Sequence, residues 1–268
     1  MEYSGAIDYA PLSLELRHYL ARRQATYGIY CRELNTGQSF GINEDALFVQ
    51  ASCLKIAYVL YLYEQIATGE CMLEYRLSYR KSEDFSDGSG YLQYMAEDGD
   101  RFTLRALASA AITLSDNIAY RMIKRFLGPE KVLRHMQLLG AVHPRPNGEH
   151  YTTPRDMGCY LRGILDFAAR EPELGSRMLE DMTHPVWHNG LPRLLPDSVR
   201  VAHKEGDLEG TANDVGIIFL PGHPYLLTIL SKEQPDIKTG FREIALLSKI
   251  IYDYHKGNLC QAGNTTHA

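Results

Sequence analysis

Ser52-Cys53-Leu54-Lys55-Ile56-Ala57-Tyr58-Val59-Leu60-Tyr61-Leu62-Tyr63-Glu64-Gln65-Ile66 is the stretch that decides how this chain is read. Leu54, Ile56, Ala57, Val59, Leu60, Leu62 and Ile66 go most of the way round a helical wheel, the mark of a helix buried on nearly all sides. Ser52 and Lys55 fall at i and i+3 on its first turn, so both side chains lie on one face within reach of each other. Unpaired backbone N–H groups and the positive end of the helix dipole beside Ser52 favour an alkoxide and an oxyanion there. A lysine shielded from water loses proton affinity and can serve as a base. The plainer alternative is a capping serine with a snorkelling lysine.

Outward from this helix, residues 12–24 carry the mixed apolar and charged spacing of an amphipathic helix, with Ser13 as its expected cap. Thr26 to Leu34, the turn residues Asn35-Thr36-Gly37, and Gln38 to Ile42 predict a hairpin. Helical patterns fill residues 103–182, with breaks expected at Gly128-Pro129, at Gly140 to Gly148 and at Pro172 to Gly175. Strand character returns at Ser198 to His203, Asp214 to Leu220 and Tyr225 to Leu230, and Gly240 to Tyr254 predicts a closing helix ahead of a fraying tail. The element order implies one sheet built from both chain ends, flanked by N- and C-terminal helices, with a helical lobe inserted. As a single catalytic unit, residues 1–268 would divide into a discontinuous α/β lobe, 1–50 and 196–268, and an all-α lobe, 51–195.

At 268 residues and 45% hydrophobic, the chain is long enough to bury a sizeable core. A formal net charge of -5 with basic residues spread along the chain gives no electrostatic reason to bind nucleic acid or an anionic membrane. Cys31, Cys53, Cys71, Cys159 and Cys260 are odd in number and lack metal-ligand spacing, so neither a disulfide framework nor a zinc site is indicated. Unpaired cysteines and a start without a secretory signal pattern point to the cytoplasm. His184 and His188 stand at i and i+4, but Pro185, Trp187 and Gly190 argue against a helix there, and both read as surface histidines. Cys53 points away from Ser52 on a helix and reads as small buried packing.

Two further polar clusters follow Ser52 in order: Ser115-Asp116-Asn117, which also reads as a helix N-cap, and Lys204-Glu205-Gly206 at the end of one strand and ahead of two more. Each box has a decoy. Ser78-Tyr79-Arg80-Lys81 repeats S-x-x-K, but an alternating stretch places its serine and lysine on opposite faces of an exposed strand. Lys238-Thr239-Gly240 reads as the entry turn of the closing helix.

With these three boxes in order the chain resembles the class A β-lactamases and the wider penicillin-recognising serine hydrolase superfamily, whose boxes are S-x-x-K, S-D-N and K-T-G. Phe48-Val49-Gln50-Ala51, Gly88-Ser89-Gly90-Tyr91-Leu92-Gln93, Thr152-Thr153-Pro154 and Asn213-Asp214-Val215-Gly216 extend the likeness over roughly residues 12–254. The resemblance implies a two-lobed α/β plus all-α fold, a small-molecule amide, lactam or ester substrate, and no cofactor or metal; it sets no oligomeric state. Ser52 would be the acylated nucleophile, Lys55 its base or proton relay, Ser115 a proton donor to the leaving nitrogen, and Lys204 a positive charge. Asn117 would hold the substrate amide beside Glu205 and Gly206, and backbone N–H groups of Ser52 and Asp207 would form the oxyanion hole.

The pattern breaks in two places. The E-x-x-L-N segment that class A β-lactamases carry ahead of T-T-P is missing, and the water-activating glutamate goes with it; Glu149 or His150 is the candidate deacylation base in its place. Glu205 stands where a hydroxyl would meet a substrate carboxylate, so it must turn away, pair with Lys204, or face a substrate without that group. Alternatives to a hydrolase with slow deacylation are a sensor module that binds a β-lactam or cell-wall fragment without turnover, and a cytosolic serine-dependent amidase of the glutaminase kind.

Overall fold

The computed structural model describes residues 6–144 and 150–264. In chain order the elements are α1 (Ala10–Leu20), β1 (Thr26–Glu33), β2 (Ser39–Ile42), β3 (Phe48–Val49), a 3-10 turn (Ala51–Leu54), α2 (Lys55–Ala67), β4 (Arg76–Ser78), α3 (Lys81–Asp84), α4 (Leu92–Met95) and β5 (Arg101–Thr103). They continue with α5 (Leu104–Thr113), α6 (Asn117–Leu127), α7 (Pro129–Leu138), β6 (Tyr151–Thr152), α8 (Pro154–Arg170), α9 (Pro172–Thr183), β7 (Val201–Leu208), β8 (Thr211–Ile218), β9 (Tyr225–Lys232) and α10 (Ile237–Asn264).

The chain divides into two units, one of Met1–Cys53, Arg145–Gly158 and His188–Ala268, the other of Leu54–Pro144 and Cys159–Trp187. In the first, an antiparallel sheet runs β2-β1-β9-β8-β7, so the two chain ends meet at the β1–β9 ladder, where Ile29 faces Ile229. Alternation along β1 sorts its side chains. Tyr27, Ile29 and Cys31 join Leu12 and Leu16 of α1 and Ile244, Leu247 and Ile251 of α10 in one buried cluster, and each such aliphatic side chain contributes about 1.5–3 kcal/mol. The opposite face takes Phe48 and Pro154 over Gly28, where a Cβ would come within 2.6 Å of either ring.

In the second unit α2 is buried through Lys55, Ile56, Ala57, Tyr58, Val59, Leu60, Leu62 and Tyr63, with α5, α6, α7 and α9 packed around it. The expected all-round burial of this helix is therefore met by four neighbours. Gly163 lets α8 approach Leu60 of α2, and Gly175 brings α9 onto the backbone of Ala168. A short β4–β5 ladder, Arg76 opposite Thr103, adds strand to a unit otherwise built of helices.

Several local expectations shift. The first helix begins at Ala10 rather than at a Ser13 cap, because Pro11 occupies its first turn and needs no N–H partner. Pro172 opens α9 for the same reason, so the break falls just before it and Gly175 lies inside the helix. The first late strand runs through Gly206 to Leu208 and the next starts at Thr211, so only Glu209-Gly210 turns, with Gly210 at φ +70°. The closing helix starts at Ile237 and extends to Asn264, beyond the expected fraying point at Gly257. Residues 51–53, 150–158 and 188–195 go with the sheet instead of the expected 51–195 lobe. Phe48 pairs with Thr152, Val49 with Tyr151, and Leu191 and Leu195 enter the sheet-side cluster, through long-range pairings that leave no local pattern in sequence. No described helix is long and apolar enough to cross a membrane.

Candidate active site

Ser52 sits half-buried in the 3-10 turn, one turn of continuous helical backbone ahead of Lys55. The residue before it, Ala51, has φ +46°, a left-handed conformation that a side chain rarely adopts and that a surrounding structure must enforce. The enforcement is visible on both flanks. Asn213 of β8 donates from Nδ2 to the Val49 carbonyl at 2.7 Å, and its Oδ1 accepts from Ser231 N at 2.9 Å. Gln50 is fully buried, its N–H bonded to the His150 carbonyl at 2.8 Å and its amide to the Tyr151 carbonyl. On the third side β7 presses in. A Cβ on Gly206 would lie 2.6 Å from the Ser52 nitrogen and 2.9 Å from the Cys53 nitrogen, so glycine alone lets the strand approach the turn this closely.

Cys53 donates from Sγ to the Lys204 carbonyl at 3.2 Å, and burial pushes its thiol well up, which makes it packing and not a nucleophile. Lys204 is buried, with Nζ donating to the Glu205 carbonyl at 2.7 Å. Burial holds its ammonium below the usual lysine range, against the opposing pull of Cys53, Glu205, Asp214 and Asp207.

Glu205 turns away from the face of β7 that carries Lys204 and Gly206. It accepts from the backbone of Asn189, from Gly190 N at 2.9 Å and from Asn189 Nδ2 at 3.1 Å. Of the three options left open by the sequence, the first holds. Burial, then the nearby Asp214 charge, raises its carboxyl above the usual range. Asp207 is exposed on the same strand, opposite Ala212. His150 is exposed just ahead of β6, and Glu149 lies outside the described residues.

A second cluster forms in the helical unit. Lys55, 3% exposed, donates to the Ser115 carbonyl at 2.5 Å, to Ser115 Oγ at 3.0 Å and to Asn117 Oδ1 at 2.8 Å. Ser115 has φ +53°, the second strained non-glycine residue beside a box. The strain is held by Asp116, buried and bonded twice: Oδ1 accepts from Ala119 N at 2.9 Å as the N-cap of α6, and Oδ2 from Leu92 N at 2.8 Å. Gly90, at φ +107°, passes so close that a Cβ would meet Asp116 Cα at 2.4 Å. Asn117 donates to the Asp87 carbonyl at 2.8 Å. Lys55 thus bridges a hydroxyl and an amide oxygen, with Ser115 Oγ within direct hydrogen-bond reach of its ammonium.

The decoys fall elsewhere. Ser78 is exposed at the end of β4 and Lys81 opens α3. Thr239 bonds Asp236 through its N–H at 2.8 Å and its hydroxyl at 2.7 Å, a helix-entry cap as expected. Asp116, Asn213 and Gly90 were not among the expected site residues, although each lies in a quoted box or flank; the signal was present, but the residues act through backbone geometry rather than through reactive side chains.

Comparison with known proteins places the chain among relatives of one kind. The profile described as the Beta-lactamase enzyme family matches residues 11–255. The β-lactamase of Bacillus licheniformis is 27% identical over 245 residues, covering 85% of this chain and 78% of that protein. The β-lactamase of Streptomyces fradiae is 30% identical over 234 residues, covering 78% and 74%. Among solved structures, PBP-A superposes with a TM-score of 0.85 at 25% identity over 92% of this chain and 97% of that one. An ancestral class A β-lactamase gives 0.81 at 25% identity, covering 90% and 99%.

Proposed function

The chain belongs to the β-lactamase enzyme family, and from that premise we propose a serine hydrolase that opens a β-lactam, or a related amide or ester, through an acyl-Ser52 intermediate and releases the acyl group slowly. Ser52 attacks the carbonyl carbon and gives its proton to Lys55 once that amine is neutral. Ser115 returns a proton to the leaving nitrogen or oxygen. Backbone N–H groups at Ser52 and Asp207 receive the oxyanion, Lys204 supplies positive charge, and Asn117 holds the substrate amide. What carries this reading is Lys55, buried and hydrogen-bonded to Ser115 and Asn117. A lysine is rarely sunk to 3% exposure unless its charge has a task there.

Slow release follows from the missing E-x-x-L-N glutamate, which leaves water activation to Lys55, Glu149 or His150. Substrate choice follows from Glu205. With its carboxylate committed to Asn189 and Gly190, the third box offers no hydroxyl to a substrate carboxylate, and β8 and β9 contain no arginine to replace it. Substrates without that carboxylate lose nothing here.

One alternative is favoured by a specific likeness: acylation without turnover, as a penicillin-binding sensor. An engineered PBP-A, TM-score 0.84 and 25% identical, is described as an acyl-enzyme complex with penicillin G. A chromogenic cephalosporin separates the two. A burst equal to the enzyme concentration followed by a slow linear phase supports the hydrolase; a burst with a flat continuation supports the sensor. Turnover without any burst contradicts slow release.

A further inference from the structure

Behind β7, on the face away from Gly206 and Lys204, three buried side chains converge that the acylation chemistry does not use. His203, Glu205 and Asp214 are 0%, 7% and 0% exposed. One ligand atom from each lies within 4.8 Å of the other two. The strand register explains the meeting: His203 and Glu205 are two apart on β7, and Asp214 sits opposite Glu205 on β8, so all three share one face of the sheet.

The hydrogen-bond pattern shows what the cluster lacks. Both Asp214 oxygens stand 3.0 Å from His203 Nδ1. His203 Nε2 faces His188 Nδ1 at 3.4 Å across tilted rings, a contact that holds the ring with Nδ1 toward Asp214. Two buried carboxylates and one imidazole nitrogen therefore converge on one spot, and the Asp214 charge works against that of Glu205. A cation between them would offset that repulsion and take all three as ligands. The backbone fits this arrangement: Leu191 N donates to Asp214 at 2.7 Å and Gly190 N to Glu205 at 2.9 Å, which aims both carboxylates.

We propose that His203 Nδ1, Glu205 and Asp214 form a binding site for a divalent transition cation of the Zn2+ type, with His188 orienting the His203 ring from outside. One nitrogen and two carboxylate oxygens are ligands that Zn2+ accepts, and a tetrahedral ion with bonds near 2.0–2.1 Å sets ligand atoms about 3.3 Å apart. The His203–Asp214 spacing of 3.0 Å is close to that value, and a small inward movement of Glu205 completes the set. A bound ion would tie β7 and β8 to the 188–191 segment. Its position behind the strand keeps it out of the acylation chemistry, so its effect is on stability. The site goes beyond the proposed activity and does not depend on it.

Tag-free protein stripped with a chelator should bind one equivalent of Zn2+ at neutral pH by calorimetry, with a rise in thermal midpoint that the chelator reverses. Co2+ in its place should give the intense visible bands of a four-coordinate ion. Glu205→Gln and Asp214→Asn should each weaken Zn2+ at least about tenfold, His188→Ala about tenfold through loss of ring orientation, and His184→Ala not at all. Glu205→Gln is near-isosteric and guards against a His203→Ala variant that does not fold. Absence of saturable Zn2+ binding, a six-coordinate Co2+ spectrum, or carboxylate variants that bind Zn2+ as tightly as the native protein would overturn the site.

Discussion

Gly206 carries more of the site than its lack of a side chain suggests. It lies where β7 meets the nitrogen atoms of Ser52 and Cys53, with no room for a Cβ at 2.6 and 2.9 Å. The two nearest atoms are backbone, not flexible side chain, so neither partner can yield without moving Ser52 or the strand. Gly206→Ala should therefore cost about 1–3 kcal/mol of stability. It should also lower the acylation rate by roughly 100-fold or more, as a misplacement of about 1 Å does to a reacting pair. Urea denaturation and stopped-flow acylation measure the two effects; an unchanged acylation rate would mean that the close approach plays no part in the chemistry. Glu205 shows the opposite case, a residue whose sequence position promised substrate contact but whose side chain serves the 188–191 segment.

At the scale of elements, the parts written in local pattern were legible. The β1–β2 hairpin, the buried α2 and the chain-order sandwich of strands around helices follow from periodicity and turn residues, and the resemblance drawn from three boxes agrees with the family profile over residues 11–255. The break expected at Gly128-Pro129 falls there, whereas the one expected at Pro172 to Gly175 lies just before Pro172, which opens the next helix, and the first late strand runs on past Gly206. Lys55, Ser115 and Asn117 were expected together and are found together. The roles of Asn213 and Asp116 beyond their boxes, and the left-handed backbone at Ala51 and Ser115, had no local signature. Their work is to hold backbone, and the partners they hold stand far away in sequence: Asn213 reaches Val49, and Asp116 reaches Leu92. The His203–Glu205–Asp214 cluster was hidden for the same reason, since cross-strand register brings Asp214 to it.

Acid stability belongs to the whole molecule, because the group that governs it is locked between both chain ends. His255 on α10 is fully buried, with Nε2 at 3.2 Å from the Tyr9 hydroxyl and its ring 4.0 Å from that of Tyr225. Burial, then the neighbouring His223, lowers its pKa from 6.5 to about 4. A depressed histidine binds its proton more readily when the chain is unfolded, so its contribution is complete above pH 6.5 and is lost as pH falls toward 4. The loss amounts to roughly 3 kcal/mol. Urea midpoints across this range should fall for the native protein and fall less for His255→Gln; a parallel decline in both would place the acid sensitivity elsewhere.

The central claim, that Ser52 becomes acylated, is tested most directly by intact-protein mass spectrometry after brief exposure to penicillin G and, separately, to an activated ester lacking a carboxylate. A one-to-one covalent adduct that is absent in Ser52→Ala and decays slowly on dilution is the predicted result. No adduct with either acyl donor, or an adduct that survives Ser52→Ala, contradicts the account.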